Sequence, residues 1–220
     1  MASNLRPRAR RQSAESPPNL PVNRRERAKG AKRGRIIEAA RQLFAEKGFA
    51  AATTQEIASR ADVGTGTLFL YAQTKEDLLV MVFRDEIVDI NRRSFKNAPK
   101  TASLLDQLMY VFHSMVRYHG RDIEIARILM RQVTVATNAE RLADVKVMLD
   151  VVRHGIAELI GRHQQSGRLR SDLDHIDAAE VLFAVYLLGL LQWLSGHRTK
   201  QGFLRQLPLE LGLVIRGFER

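Results

Sequence analysis

From residue 34 onward apolar residues recur at helical spacing, and no stretch shows the two-residue alternation of a half-buried strand. Ile36, Ile37, Ala40, Leu43 and Phe44 share one face of a first helix, which Gly48 ends by supplying a backbone conformation that other residues avoid. Thr53 with Glu56 makes a capping box for a second helix carrying Ile57, Ala58 and Ala61. The chain turns at Asp62-Val63-Gly64, where Asp62 tolerates positive φ. A short third helix follows from Thr65 to Tyr71, and Thr74 with Asp77 opens a long fourth one through Leu78, Leu79, Val82, Phe83 and Ile90.

Pro99 breaks the chain, and four to six longer helices follow it. Ser103 with Asp106 starts a stripe of Leu104, Leu108, Phe112 and Met115, and a shorter helix covers Ile123 to Met130. Asn138 opens a stripe that steps from Leu142 through Val145, Leu149, Val152 and Ile156 to His163. Asp177 leads a segment so apolar, Ala178 to Gly196, that it reads as a helix buried on all sides. Its uninterrupted core, Val181 to Leu191, falls short of the ~20 apolar residues a membrane span needs, so no membrane partner is expected. A last helix runs to about Phe218, with Pro208 either kinking it or opening its second half.

Charge sharpens this all-α picture. Residues 1–100 hold 20 Lys and Arg against 11 Asp and Glu, whereas residues 101–220 hold 15 against 13. A basic front and a near-neutral back point to a polyanion that meets the front alone, which is the footprint of nucleic acid. The first 29 residues, broken by Pro7, Pro17, Pro18 and Pro21, have little to bury and are expected to be a disordered basic arm. With Arg33, the arm's Arg6, Arg8, Arg10 and Arg11 would reach phosphates or the minor groove. No apolar run follows these arginines, so no secretion signal is read, and a cytoplasmic place on the nucleoid is expected.

Two short helices joined by a tight turn form a helix-turn-helix. Ala58 is small where the helices cross, and Ile57, Ala61, Val63 and Leu68 can pack inward to hold the crossing. The third helix then presents Thr65, Gly66, Thr67, Phe69, Leu70 and Tyr71, a surface suited to groove contact. Lys75 sits in the first turn of the fourth helix, where charge and free N–H groups favour a phosphate.

The stretches IIEAARQLFAEKGF at 36–49, TTQEIASRADV at 53–63 and GTGTLFLYAQTKEDLL at 64–79 resemble the DNA-binding domain of the TetR family, in the manner of its multidrug-efflux repressors. The resemblance implies about nine helices: a three-helix DNA-binding domain, 30–89, then a helical ligand-binding and dimerisation domain, 90–220. It implies a homodimer on an operator of double-stranded DNA, with Thr65, Gly66, Thr67 and Leu70 at the bases or groove wall and Thr53, Tyr71 and Lys75 at phosphates. Asp62 stands where the family usually has Gly, Gly64 where it usually has Ser, and Ala72 where Phe is common.

In the back half, Met109, Phe112, His113, Met130 and Tyr186 are candidates for a pocket holding a small, mostly apolar effector. Leu187, Gly189, Leu190, Leu191, Trp193 and Leu194 are candidates for the dimer seam, with Gly189 allowing close approach. The six histidines show no metal-ligand spacing, so neither a metal nor a cofactor is implied. Without cysteine, a GxSxG elbow or a phosphate loop, an enzyme is not expected. The function expected is a ligand-responsive DNA-binding regulator, most simply a repressor. The rival is a ligand-independent DNA-binding protein acting in chromosome organisation or cell division.

Overall fold

A computed structural model describes residues 24–134 and 139–219, and among them the chain forms nine helices. These are α1 (Arg24–Ala51), α2 (Thr54–Arg60), α3 (Thr65–Phe69), α4 (Lys75–Asn97), α5 (Leu104–His119), α6 (Ile123–Thr134), α7 (Ala139–Gln165), α8 (His175–Leu194) and α9 (Lys200–Arg216). Side-chain caps stand where the sequence placed them on α2, α4 and α5: Thr53 with Glu56, Thr74 with Asp77, and Ser103 accepting from the Asp106 N–H. Gly48 breaks α1 with φ 78° and ψ 162°, and a Cβ there would meet nothing, so glycine is required for its backbone alone.

Several details differ from the sequence reading, among them the end of α3, which stops at Phe69 and not Tyr71. The first helix begins at Arg24, inside the segment expected to be disordered to residue 29. Residues 24–33 contain no proline, and Glu26 in the first turn complements the helix dipole, so the docked helix extends outward with its side chains exposed. Arg6, Arg8, Arg10 and Arg11, like Asn138, lie outside the described residues. The eighth helix starts at His175, because Asp174 and not Asp177 caps it, accepting from the N–H groups of Ile176 and Asp177. Finally, α9 runs unbroken through Pro208.

Two hydrophobic cores share α7 as a common wall. The front core packs α1 to α4 around Ile36, Leu43, Ile57, Leu68, Leu78 and Leu79, and takes Leu129 from α6 with Val145 and Met148 from the first half of α7. The back core joins α5, α8 and α9 to the second half of α7 through Ile156, Leu159 and Ile160. The DNA-reading unit therefore shares apolar surface with the helices behind it. Leu142, expected on the buried stripe of α7, is exposed.

The α8 helix is not buried on all sides. Ala178, Leu182, Tyr186, Leu190 and Trp193 face the core, while Val181 and Leu188 face outward, 48% and 58% exposed. It is long and apolar enough to cross a membrane by composition, but its inner face is fully engaged within the chain. Gly189 serves that inner face: a Cβ there would fall 2.3 Å from the Phe203 ring of α9. The close approach it permits is between α8 and α9 of one chain.

A polar lock joins the two halves. Asp77, in the first turn of α4, accepts from the N–H groups of Gln73 and Thr74 at 3.0 and 2.9 Å and pairs with Arg141 of α7, both side chains being buried. Arg141 also donates to Gln132 Oε1 at 2.6 Å. Burial alone would raise the Asp77 pKa; the Arg141 guanidinium and the Thr74 donors outweigh it and hold the carboxyl below its usual range. Removing one member of such a pair strands the other charge, so Arg141→Met is expected to cost ~3–5 kcal/mol in urea unfolding. A depressed folded pKa adds stability above about pH 4, and that stability is lost as pH falls through the folded value. The gap between variant and wild type should therefore narrow in acid; a gap unchanged from pH 7 to pH 3 would contradict this account.

Candidate nucleic-acid interface and effector cavity

The helix-turn-helix is built from local constraints that reinforce each other. Thr53 Oγ1 accepts from Glu56 N at 3.2 Å while the Glu56 carboxylate accepts from Thr53 N at 3.1 Å, satisfying two orphan donors at the start of α2. The same Glu56 takes Lys47, and Glu46 takes Arg60, tying α1 to α2 from outside and holding both carboxyls below their usual range. Asp62 does adopt positive φ, 51°, and Arg35 Nε braces the turn by donating to the Ala61 carbonyl at 3.0 Å. Ile57, Ala58, Ala61 and Leu68 are buried at the crossing, with Val63 half-buried beside them.

This leaves α3 with one face free. Gly64 caps it without a side-chain bond, and Leu68 anchors it. Gly66, Phe69 and Leu70 stand exposed, Leu70 to 75%, with Thr65, Thr67 and Tyr71 half-buried at the margins. An exposed leucine next to an exposed phenylalanine loses apolar surface to water in the free protein, which suits a face that meets the groove wall. Ala72, where a larger residue was expected, is buried and closes the junction to α4. Thr53 keeps an exposed position at the edge of the same surface, and the Tyr71 hydroxyl donates to the Lys29 carbonyl at 3.4 Å.

Two expected phosphate ligands have other employment. Lys75 Nζ donates to the carbonyls of Phe49 and Ala50 at 2.7 and 2.9 Å and lies 4.5 Å from the centre of the Phe49 ring. It closes the end of α1 beyond the Gly48 break, where carbonyls lack helical donors. Arg33 grips Asp144 of α7 at 3.0 and 3.2 Å, and Arg84 reaches the same carboxylate at 3.2 Å. Neither partner was readable from spacing, since one lies 26 residues away and the other 111.

The pocket residues expected from composition do not form a pocket together. Phe112 and Tyr186 are buried and stacked on each other, ring centres 4.3 Å apart, in the back core. His113 faces outward and bonds to its own Met109 carbonyl, while Met109 and Met130 pack at the edge of that core. A cavity of about 910 Å³ instead opens between the end of α4 and α7. Phe95, Ala98, Val147 and Val151 give it an apolar wall, and Arg92, Lys96, Lys100, Arg162 and Arg168 surround it against only Asp150 and Glu158. Asp150 is already paired with Lys146 and Arg153. At its floor His163 meets Gln107 at 3.2 Å, and burial, with Arg168 and Arg162 nearby, lowers the His163 pKa. Gly155 lets the Phe95 ring lie against α7, because a Cβ there would come within 2.4 Å of it.

The dimer seam needs the same kind of correction. Gly189, Leu190, Trp193 and Leu194 are buried within the chain, and Leu187 and Leu191 are half-buried. The outward large apolar residues of the two last helices are Ile176, Val181 and Leu188 on α8 with Leu209 and Leu213 on α9, the last two 62% and 64% exposed. Most of the residues expected at a seam are thus covered by their own chain, because a helix apolar all round gives no periodic signal of which side that chain covers.

Comparison with known proteins agrees with this geometry. Residues 36–82 match the model of "Bacterial regulatory proteins, tetR family". The chain is 27% identical over 188 residues to the transcriptional repressor KstR of Mycobacterium tuberculosis, covering 86% of this chain and 82% of that one. It is 24% identical over 148 residues to the fatty acid metabolism regulator protein of Bacillus subtilis, covering 67% and 76%. In fold it is similar to FadR of Thermus thermophilus, a TetR-family repressor solved with lauroyl-CoA, at a TM-score of 0.68, 23% identity and coverage of 84% and 94%.

The division of labour on α3 and α4 is testable by selecting operator sequences with each variant. Leu70→Ala, at an exposed position, should leave the melting temperature unchanged and alter preference at particular base pairs by ~1–3 kcal/mol each. Lys75→Ala should lower the melting temperature, because it uncaps the Phe49 and Ala50 carbonyls. A stable Lys75→Ala protein that is merely weaker on all DNA alike would restore the phosphate role.

Proposed function

We infer that this chain, a member of the TetR family by the domain at residues 36–82, is a transcriptional repressor that leaves its DNA operator when a small molecule binds the domain behind the helix-turn-helix. The observation that carries the regulated half of this reading is the basic-walled cavity between α4 and α7, because α4 begins five residues after Leu70 and ends on the cavity wall. A ligand that moves Phe95 or Lys96 acts on the same rigid helix that seats the recognition helix. Coupling of ~1–3 kcal/mol is the ordinary allosteric range.

The cavity chemistry supports an amphipathic anion in place of the small, mostly apolar effector expected from the sequence. Five guanidinium and ammonium groups against two carboxylates favour phosphates, and the Phe95, Val147 and Val151 wall favours a hydrocarbon chain. An acyl-CoA thioester combines both, and structures of similar fold were solved with lauroyl-CoA and stearoyl-CoA. The near-neutral total of residues 101–220 hides this, since three of the five cations, Arg92, Lys96 and Lys100, are counted with the basic front. The ligand-independent rival leaves such a cavity unexplained.

The protein acts as a two-fold dimer in the cytoplasm, on nucleoid DNA, because one short α3 reads too few base pairs. Val181, Leu188, Leu209 and Leu213 form the seam. Burying a leucine contributes ~1.5–3 kcal/mol, so Leu188→Glu with Leu213→Glu should give a monomer by sedimentation that has lost tight operator binding.

The deciding experiment is a gel shift on the DNA upstream of its own gene. Acyl-CoA should release the protein, and Lys96→Glu with Arg162→Glu should raise the concentration needed at least tenfold while leaving DNA affinity without effector unchanged. Release by uncharged hydrocarbons alone, or an unshifted response in the charge-reversed protein, would sink the amphipathic-anion reading.

A further inference from the structure

A second cavity, of about 530 Å³, lies where α1 meets the turn between α5 and α6. Phe44 of α1, Phe83 and Glu86 of α4, Tyr118 and His119 of α5, and Leu129 of α6 line it. It is separate from the basic cavity and shares no lining residue with it. Its two phenylalanine rings, the Tyr118 ring and its leucine are wall to any occupant, and one side of it belongs to the DNA-reading unit.

Arg41 and Arg121 face Glu86 and Asp122 around it, so its formal charges balance. Glu86 accepts from the Tyr118 hydroxyl at 3.1 Å, and Arg41 Nε stands 4.0 Å from the same carboxylate. His119 differs. Its ring is buried, and Nδ1 has no hydrogen-bond partner among the described residues. Burial pulls its pKa down to about 4, so the ring is neutral at neutral pH and has one acceptor nitrogen. Arg41 Nε, also buried, makes no hydrogen bond among the described residues. Buried polar atoms are nearly always satisfied, so these two, on side chains that line one cavity, call for a partner.

We propose that this cleft is a second small-molecule site, taking a compact, uncharged aromatic that carries a hydroxyl or N–H group. The ring lies between Phe44 and Phe83, and the O–H or N–H donates to His119 Nδ1 in the tautomer whose proton is on Nε2. A phenol oxygen can in turn accept from Arg41 Nε. Charged ligands are disfavoured, because the two cations, Arg41 and Arg121, balance the two carboxylates, Glu86 and Asp122, and a net charge would be desolvated without an excess of the opposite sign. The site bridges α1 and the α5–α6 turn, so its occupant bears on the seating of the DNA-reading unit.

Phenol, with toluene as its hydroxyl-free counterpart, is the probe. Titration into the full-length protein labelled with ¹⁵N-histidine reads the His119 Nδ1 resonance directly. Phenol should shift it saturably, and toluene should bind at least tenfold more weakly. Ala45→Trp places a large ring at the exposed outer wall and should abolish the shift, while His119→Phe should erase the preference for phenol over toluene. A His119 resonance unmoved by phenol, equal affinity for toluene, or a response surviving Ala45→Trp would each overturn the proposal and leave the cavity to water. Release from DNA by acyl-CoA, measured on the same variants, reports the other cavity separately.

Discussion

The pairing of Asp77 with Arg141 is the constraint on which the arrangement of this chain depends. Asp77 has two duties at once. It completes the cap of α4, three residues beyond Thr74, and it carries the negative charge that draws the start of α7 onto the recognition unit. A buried guanidinium and a buried carboxylate are each unfavourable alone, so neither helix end can shift without exposing or stranding its partner. Arg33 and Arg84 converge on Asp144 three residues further along α7, which places α1, α4 and α7 under one set of ionic contacts. Apolar packing holds these helices together, but greasy surfaces tolerate sliding; charges with fixed hydrogen bonds do not.

That rigidity gives α4 its role. Its first turn is locked beside the recognition helix, and its last turns, through Phe95 and Lys96, form a wall of the large cavity. Over a helix of 23 residues, a small displacement at the far end becomes a rotation at the near end rather than being absorbed in a loop. Gly155 is part of the same device. Its missing side chain lets Phe95 sit on the α7 backbone, so an occupant of the cavity must contend with that ring.

What was legible in the sequence was local. The Thr53 and Thr74 caps, the break at Gly48, the positive φ of Asp62 and the buried crossing at Ala58 all depend on residues within a few positions of one another, and spacing alone reveals them. The exposed face of α3 followed because Leu68 had to point inward. The illegible parts depend on partners far along the chain. Lys75 and Arg33 look like free cations until α1 and α7 are in place, and then each has carbonyls or a carboxylate to serve. Phe112 and Tyr186 look like pocket walls until they are seen stacked together. For α8, composition announced burial but could not divide it between the chain's own core and a second copy.

Charge along the chain hides the large cavity for a related reason. Counting residues 1–100 apart from 101–220 puts Lys96 and Lys100 with the basic front, and the fold carries them to the near-neutral back. Lys96, Lys100, Arg162 and Arg168 come from helices α4 and α7 and the loops beside them, brought to one mouth, while Asp144 and Glu180 are taken up in pairs with Arg33 and Arg153 elsewhere. A surface sorted this way repels its own cations at the cavity rim, and that repulsion is relieved when an anion enters. An anionic effector, as proposed, would therefore draw part of its affinity from unfavourable electrostatics already present in the empty protein. The two cavities differ on this ground: one has an excess of cations to be answered, the other sets Arg41 and Arg121 against Glu86 and Asp122 in equal number.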